Sequence, residues 1–225
     1  MTGAQLLSLG SDALWLLPES AAWHATSRTL FIADLHLGKS ATFRARGLPV
    51  PSGTTQDNLA RLSALVRAHD ARRIVFLGDL LHSRHAQRAS AMAPLHDWRA
   101  NHAAQHCVLV RGNHDSHAGD PPPSLDFEVV DEPWAVPGTV ALVGCHHPQR
   151  VAGAVVLAGH WHPAVTLRGP ARDHQRLACF CALDGLLVLP AFGAFTGSSP
   201  QAPPAGSLCY PVGGGRVWPG LRVDR

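Results

Sequence analysis

The chain has 225 residues, 46% of them hydrophobic and 16% charged, with a formal net charge of +3. That length suits a single domain over residues 1–225, and apolar content this high, with glycine and proline scattered rather than blocked, excludes a disordered chain. So mild a charge neither requires nor excludes a polyanionic partner.

Five cysteines at irregular spacing form neither a zinc-type pair of pairs nor a disulfide framework, and are read as reduced. No stretch approaches the ~20 apolar residues of a membrane span, and the N-terminus lacks a basic segment followed by an apolar one, so no membrane association and a cytoplasmic location are expected. Histidine occurs 15 times, more than a core of this size needs, which is the first sign of metal chemistry.

In chain order, Thr29 to Ala33 is a short apolar run that ends at Asp34. Leu59, Leu62, Leu65 and Val66 follow at helical spacing. Arg73 to Leu77 is a second apolar run, ending at Gly78 and Asp79, and Ala89 to Ala104 has the composition of another helix. A third run, Cys107 to Val110, leads into Gly112 and Asn113. Strand, helix, strand, helix, strand is a βαβ beginning, and runs this continuously apolar are strands buried on both faces. Pro121 to Pro123 reads as a surface loop. Two more apolar runs, Thr139 to Val143 before His146 and Ala154 to Ala158 before Gly159 and His160, are also read as strands. Cys179 to Leu183 and Leu186 to Leu189 flank Asp184-Gly185, which reads as a hairpin with a type I′ turn. The expected fold is mixed α and β with a β-rich second half.

Five polar clusters therefore sit at strand ends: Asp34-x-His36, Gly78-Asp79-x-x-His82, Gly112-Asn113-His114-Asp115, His146-His147-Pro148 and Gly159-His160-Trp161-His162. Each alone is a common turn sequence. Together they supply what a divalent ion needs, carboxylate and imidazole groups converging from several strands, at the edge where an α/β sheet gathers polar groups without burying them unpaired. A carboxylate can bridge two ions about 3.5–4 Å apart, and glycine beside Asp79 leaves room for such an approach.

In type and order these blocks resemble the signature of the calcineurin-like metallophosphoesterase superfamily. The resemblance spans Asp34 to His162 and implies a four-layer sandwich, two mixed β-sheets flanked by helices, holding two divalent ions. It assigns Asp34, His36, Asp79 and His162 to the first ion and Asp79, Asn113, His146 and His160 to the second. His146 is chosen because the family's ligand stands two residues before proline; His147 is the alternative. A hydroxide shared by the ions would attack phosphorus with His114 as general acid, and Asp115 would hold the His114 imidazole in its useful tautomer. His82 stands where the superfamily more often has Asp or Glu. Trp161, between two of these ligands, either shields the site or stacks a base.

A narrower resemblance rests on Asp34-Leu35-His36-Leu37-Gly38-Lys39, Phe43-Arg44, Gly47-Leu48-Pro49-Val50-Pro51, Leu16-Leu17-Pro18-Glu19, Trp23 and Gly78-Asp79-Leu80-Leu81-His82-Ser83. These segments look like the bacterial ligase-associated DNA damage response endonucleases and related small archaeal phosphoesterases. That branch implies a manganese-favouring phosphodiesterase acting on DNA, with zinc, iron or nickel as alternative ions, working in repair alongside a DNA ligase and a helicase. Lys39, the chain's only lysine, with Arg44 and Arg46, would then contact phosphates. Phosphatase or cyclic-nucleotide phosphodiesterase activity on the same site is the alternative enzyme. A scaffold that has lost catalysis is a third reading, against which all the ligand positions are filled.

Overall fold

The computed structural model describes residues 2–45, 47, 53–170 and 173–224. Its first sheet holds β1 (Gln5–Leu9), β2 (Asp12–Leu17), β3 (Ala21–His24), β4 (Thr29–Ile32), β5 (Arg73–Leu77), β6 (His106–Val110) and β7 (Phe127–Val130), hydrogen-bonded in that order. The first four strands run as an antiparallel meander, and β4 to β7 are parallel. Four α-helices are described: α1 (Lys39–Ala45), α2 (Thr54–His69), α3 (Ala89–Asn101) and α4 (Asn113–Ala118).

The second sheet contains β8 (Trp134–Ala135), β9 (Leu142–Gly144), β10 (Val155–Ala158), β11 (Ala164–Arg168), β12 (His174–Leu183), β13 (Leu186–Val188), β14 (Leu208–Gly213), β15 (Arg216–Val217) and β16 (Leu221–Arg222). Its path is β15-β14-β12-β13-β10-β9-β8, with β11 on β12 and β16 on β14. β10 is parallel to both β9 and β13, and the other pairings are antiparallel, so this sheet is mixed too.

Alternation along the central strands explains how the two sheets stack. Leu30, Ile32, Ile74, Phe76 and Leu109 point to one side, where they meet Leu59, Leu62 and Leu65 of α2 and Leu95 and Trp98 of α3. Phe31, Val75, Leu77, Val108 and Val110 point to the other and pack against Leu157, Phe180 and Leu187 of the second sheet. Phe31 is fully buried between the sheets, and its truncation to alanine should cost about 3–5 kcal/mol. The helices flank the first sheet; on the far face of the second, Val151, Trp161 and Val165 pack over Cys145, Cys179, Cys181 and Cys209. The five cysteines are buried and free.

Several local expectations needed correction. The run Thr139 to Val143 is strand only from Leu142, because Val140 N and Ala141 N donate to the Asp12 carboxylate and Thr139 Oγ1 accepts from Leu142 N, which holds the stretch as a turn. α3 stops at Asn101 instead of reaching Ala104, where the buried Arg99 guanidinium takes up the His102 and Leu125 carbonyls. The Asp184-Gly185 hairpin is present with Leu183 paired to Leu186. Only Gly185 has positive φ, 68°, so the turn lacks the second left-handed residue of type I′. The meander β1 to β3 had no counterpart among the expected elements.

Candidate metal centre

Every motif sits just past the C-terminal end of a central strand: Asp34 and His36 after β4, Asp79 after β5, Asn113 and His114 after β6, His146 after β9, and His160 and His162 after β10. The backbone there is unusual. Asp34, His36, Asp79, His160 and His162 all have φ between 46° and 69°, the left-handed region that costs a non-glycine residue of order 1 kcal/mol or more. Asp and His tolerate it better than most, which is one reason these residue types recur at such turns. The turns are locked to one another: His36 N donates to Asp79 O (2.9 Å), Leu37 N to Leu80 O (2.8 Å) and Gly193 N to Asp34 O (3.2 Å). Close approach also demands glycine. A Cβ on Gly78 would fall 2.2 Å from His146 Nδ1, and one on Gly159 would fall 2.6 Å from Asp34 Oδ2.

All seven side chains expected to hold metal converge. Candidate ligand atoms of Asp34, His36 and His162 lie within 4.8 Å of one another, as do those of Asp34, Asp79 and His146, and those of His146, His147 and His160. Asp79 faces both sides: its Oδ2 is 3.5 Å from His36 Nε2 and its Oδ1 is 3.5 Å from His146 Nε2. Backbone amides aim the carboxylates, His114 N onto Asp79 Oδ1 (2.9 Å) and His160 N onto Asp34 Oδ2 (2.9 Å). His146 is fully buried and touches Asn113 and His160. His147 is half-buried, with its Nδ1 directed at Glu132 Oε1 (2.6 Å).

The role expected of Asp115 does not match its position. Its carboxylate is fully buried and accepts from Leu81 N (3.0 Å) and Gly112 N (3.0 Å), so it ties α4 to the Asp79 turn instead of touching the His114 ring. Burial pushes the Asp115 carboxyl up to about 6, partly offset by these amides. His114 is oriented by another group, the main-chain carbonyl of His82, 2.9 Å from its Nδ1. A carbonyl only accepts, so Nδ1 carries the proton and Nε2 faces Asp79 Oδ2, 4.0 Å away. The rings of His82 and His114 also stack, with centroids 5.1 Å apart.

Of the expected phosphate contacts, Lys39 starts α1 and its Nζ donates to the Thr196 carbonyl (2.8 Å), which ties that helix to the loop after β13. Burial lowers the Lys39 ammonium pKa, while Asp34 and Asp79 act in the opposite direction. Arg44 is exposed in the last turn of α1, and Arg46 lies outside the described residues.

Two contributors escaped the sequence reading. Glu132 accepts from His146 N (2.6 Å) and His147 N (2.8 Å) as well as pairing with the His147 ring, so one carboxylate carries the whole His146-His147 turn. The Phe192-Gly193 segment docks on the first motif through Phe192 N to Ala33 O (2.8 Å), held from behind by the Arg61 guanidinium on the Phe192 ring and carbonyl. Neither belongs to a motif, and the Phe192-Gly193 segment is far in sequence from the turn it supports.

A divalent cation fits this donor set. Burial drives His36 down to about 2 and lowers His146 and His160, so their imidazoles stay neutral with lone pairs available. His146 Nδ1 donates to Leu77 O (3.1 Å), leaving Nε2 unprotonated only 2.9 Å from Asn113 Oδ1. Two lone pairs facing each other repel unless a cation lies between them, and adjacent ligands on an octahedral ion with bonds of about 2.1 Å stand about 3 Å apart. Asp34 Oδ1 and His36 Nδ1 are buried with no hydrogen bond. Burial, reinforced by Asp34, raises the Asp79 carboxyl pKa, a cost that a nearby cation removes.

Strand-end turns of this kind, on two stacked mixed sheets, define a metal-dependent phosphoesterase. The model of the calcineurin-like phosphoesterase family matches residues 27–150, and the chain belongs to that family. Among solved structures, it is similar to the Pseudomonas putida nuclease MPE, with 42% sequence identity over 96% of this chain and 99% of that one and a TM-score of 0.82. A looser likeness is to Yfce, a phosphoesterase from E. coli, with 16% identity, 87% and 99% coverage and a TM-score of 0.42. The curated proteins contain no match to the sequence. No helix among the described residues is long and apolar enough to cross a membrane.

Proposed function

We propose that the protein is a two-metal phosphodiesterase that cleaves DNA in a cytoplasmic repair setting alongside a DNA ligase and a helicase, with manganese as its ion. The observation that carries the two-metal reading is the Asp79 carboxylate, whose two oxygens are directed at two different imidazole groups, those of His36 and His146. Asp34, His36, Asp79 and His162 would hold one ion, and Asp79, Asn113, His146 and His160 the other. When bound, the ions lower the pKa of water toward neutrality and neutralise charge growing on the phosphoryl oxygens. The choice of DNA is supported by the likeness to a nuclease over nearly the whole chain.

The chain's own residues supply the rest. His114 is partly open to solvent and is pinned through Nδ1, so in its doubly protonated form Nε2 can deliver its proton to the leaving oxygen without the ring turning away, leaving the neutral Nδ1–H imidazole. Lys39 draws the Thr196 loop onto α1 and so shapes one side of the approach. Arg44 and Arg46 follow on the same stretch of chain and would neutralise phosphates that flank the scissile bond.

The test is a side-by-side assay of single-stranded DNA, duplex DNA, cyclic nucleotides and phosphomonoesters with Mn²⁺, Zn²⁺ and Mg²⁺ in turn. DNA cleavage that is fastest with Mn²⁺ is expected. Turnover of phosphomonoesters or cyclic nucleotides, with no DNA cut under any ion, would overturn the reading in favour of a small-molecule phosphoesterase.

A further inference from the structure

A cleft of about 430 Å³ opens directly off the metal centre, within the range of small-ligand sites. One side is His160, Trp161 and Pro163; the other is the segment from Ser199 to Pro204, which contributes three prolines. His160 belongs to both the cleft and the centre, because its Nδ1 is 3.1 Å from His146 Nε2. A group attached to a phosphate at the centre can therefore extend into this cleft.

Both walls are fixed without a ligand. The Trp161 indole is partly buried against the core on the far face of the second sheet, and Trp161 N donates to Gly159 O (2.8 Å). Ser199 N donates to His162 O (2.9 Å), and Arg176 fastens the same loop through Ser198 Oγ (3.2 Å) and the Ser199 carbonyl while also bonding Thr166 Oγ1 (3.2 Å). The prolines have φ locked by their rings. The lining carries no Lys, Arg, Asp or Glu, so nothing in it attracts a second phosphate. An indole and three proline rings lining one cleft suit a flat, neutral, aromatic group. Gln201 adds one amide with both donors and an acceptor, which meets a base edge without committing to one base.

We infer that this cleft is a nucleobase subsite, with Trp161 as the stacking platform that positions the nucleoside next to the scissile phosphate. The inference rests on the phosphodiesterase reading above and adds to it a specificity-determining residue. Stacking of a base on an aromatic side chain corresponds to about 5- to 150-fold in kcat/KM.

The experiment compares methyl 4-nitrophenyl phosphate with the 3′- and 5′-linked thymidine 4-nitrophenyl phosphates, all with Mn²⁺, in the wild type, Trp161→Phe and Trp161→Ala. The leaving group is constant, and the ratio of kcat/KM taken within each variant cancels any change in metal loading. The wild type should prefer at least one thymidine ester by about 5- to 150-fold, Trp161→Phe should keep most of that preference, and Trp161→Ala should lose it. If the wild type cleaves all the diesters with no thymidine preference, or Trp161→Ala keeps the preference intact, the subsite is overturned and the phosphodiesterase reading stands. If no diester is cleaved by protein that does hydrolyse 4-nitrophenyl phosphate, the phosphodiesterase reading fails and the subsite with it.

Discussion

The two sides of the centre are built differently. On the side of the first sheet, His36, His82 and His114 form a group whose orientation comes from main chain: the His82 carbonyl holds His114, and the parallel turns of Leu37 and Leu81 bond to each other. On the side of the second sheet, the His146-His147 turn depends on a side chain, the Glu132 carboxylate, which receives three donors, while the Leu77 carbonyl holds the His146 ring and Asp34 holds His160 N. Each side pairs an enclosed imidazole with more open ones: His36 with His114, whose side chain is 38% exposed, on the first, and His146 with the half-buried His147 and the exposed His160 on the second. His114, which is outside the expected ligand set, is placed to move a proton, whereas the Glu132-held turn serves to place a ligand, His146.

The sharpest way to break the contrast is to remove the group common to both sides. Asp79→Asn loses the charge directed at both imidazole groups, so metal content and turnover should collapse together; a variant with two bound ions and normal turnover would rule out the bridge. His114→Ala touches the first side only. It should slow turnover by about 10²–10⁴-fold, with metal content, read by elemental analysis, unchanged. Loss of metal in that variant would instead make His114 a ligand.

Glu132→Gln probes the second side. Weakening a carboxylate that orients ligands should lower metal affinity by about 10–100-fold, and excess Mn²⁺ should restore turnover because His114 is untouched. An unchanged metal titration would mean that Glu132 only shapes the turn. The smallest effect is expected from Cys179→Ala with Cys181→Ala, on the far face of the second sheet. Stability should fall by about 1 kcal/mol per site, and metal content should stay as in the wild type. Metal loss there would expose a thiol site that the nitrogen and oxygen donors above do not explain.

The branch-specific segment shows how far resemblance reaches. Lys39 is engaged with the Thr196 carbonyl, an anchoring contact that no motif announces. Arg46 and residues 48–52 of that segment lie outside the described residues. Hairpin and strand boundaries followed the same rule. Arg73–Leu77 was legible to the residue because Ile74 to Leu77 are apolar and buried, with Arg73 before them and Gly78-Asp79 after. The Thr139 stretch was misread because Asp12, more than a hundred residues earlier, captures its amides.

The amino-acid sequence by itself determined the order of the strand-end motifs, and with it the family and the set of carboxylate, amide and imidazole groups. It did so because buried parallel strands are continuous apolar runs and each motif follows one directly. Only the tertiary structure decided how those groups are aimed. The His82 carbonyl, and not Asp115, orients His114; Glu132 carries the His146 turn; and Trp161 meets the Ser199–Pro204 wall across a cleft. Each of these is a contact between segments that follow different strands, and neither residue type nor local spacing encodes which backbone group of another segment will lie within 3 Å of a ring nitrogen.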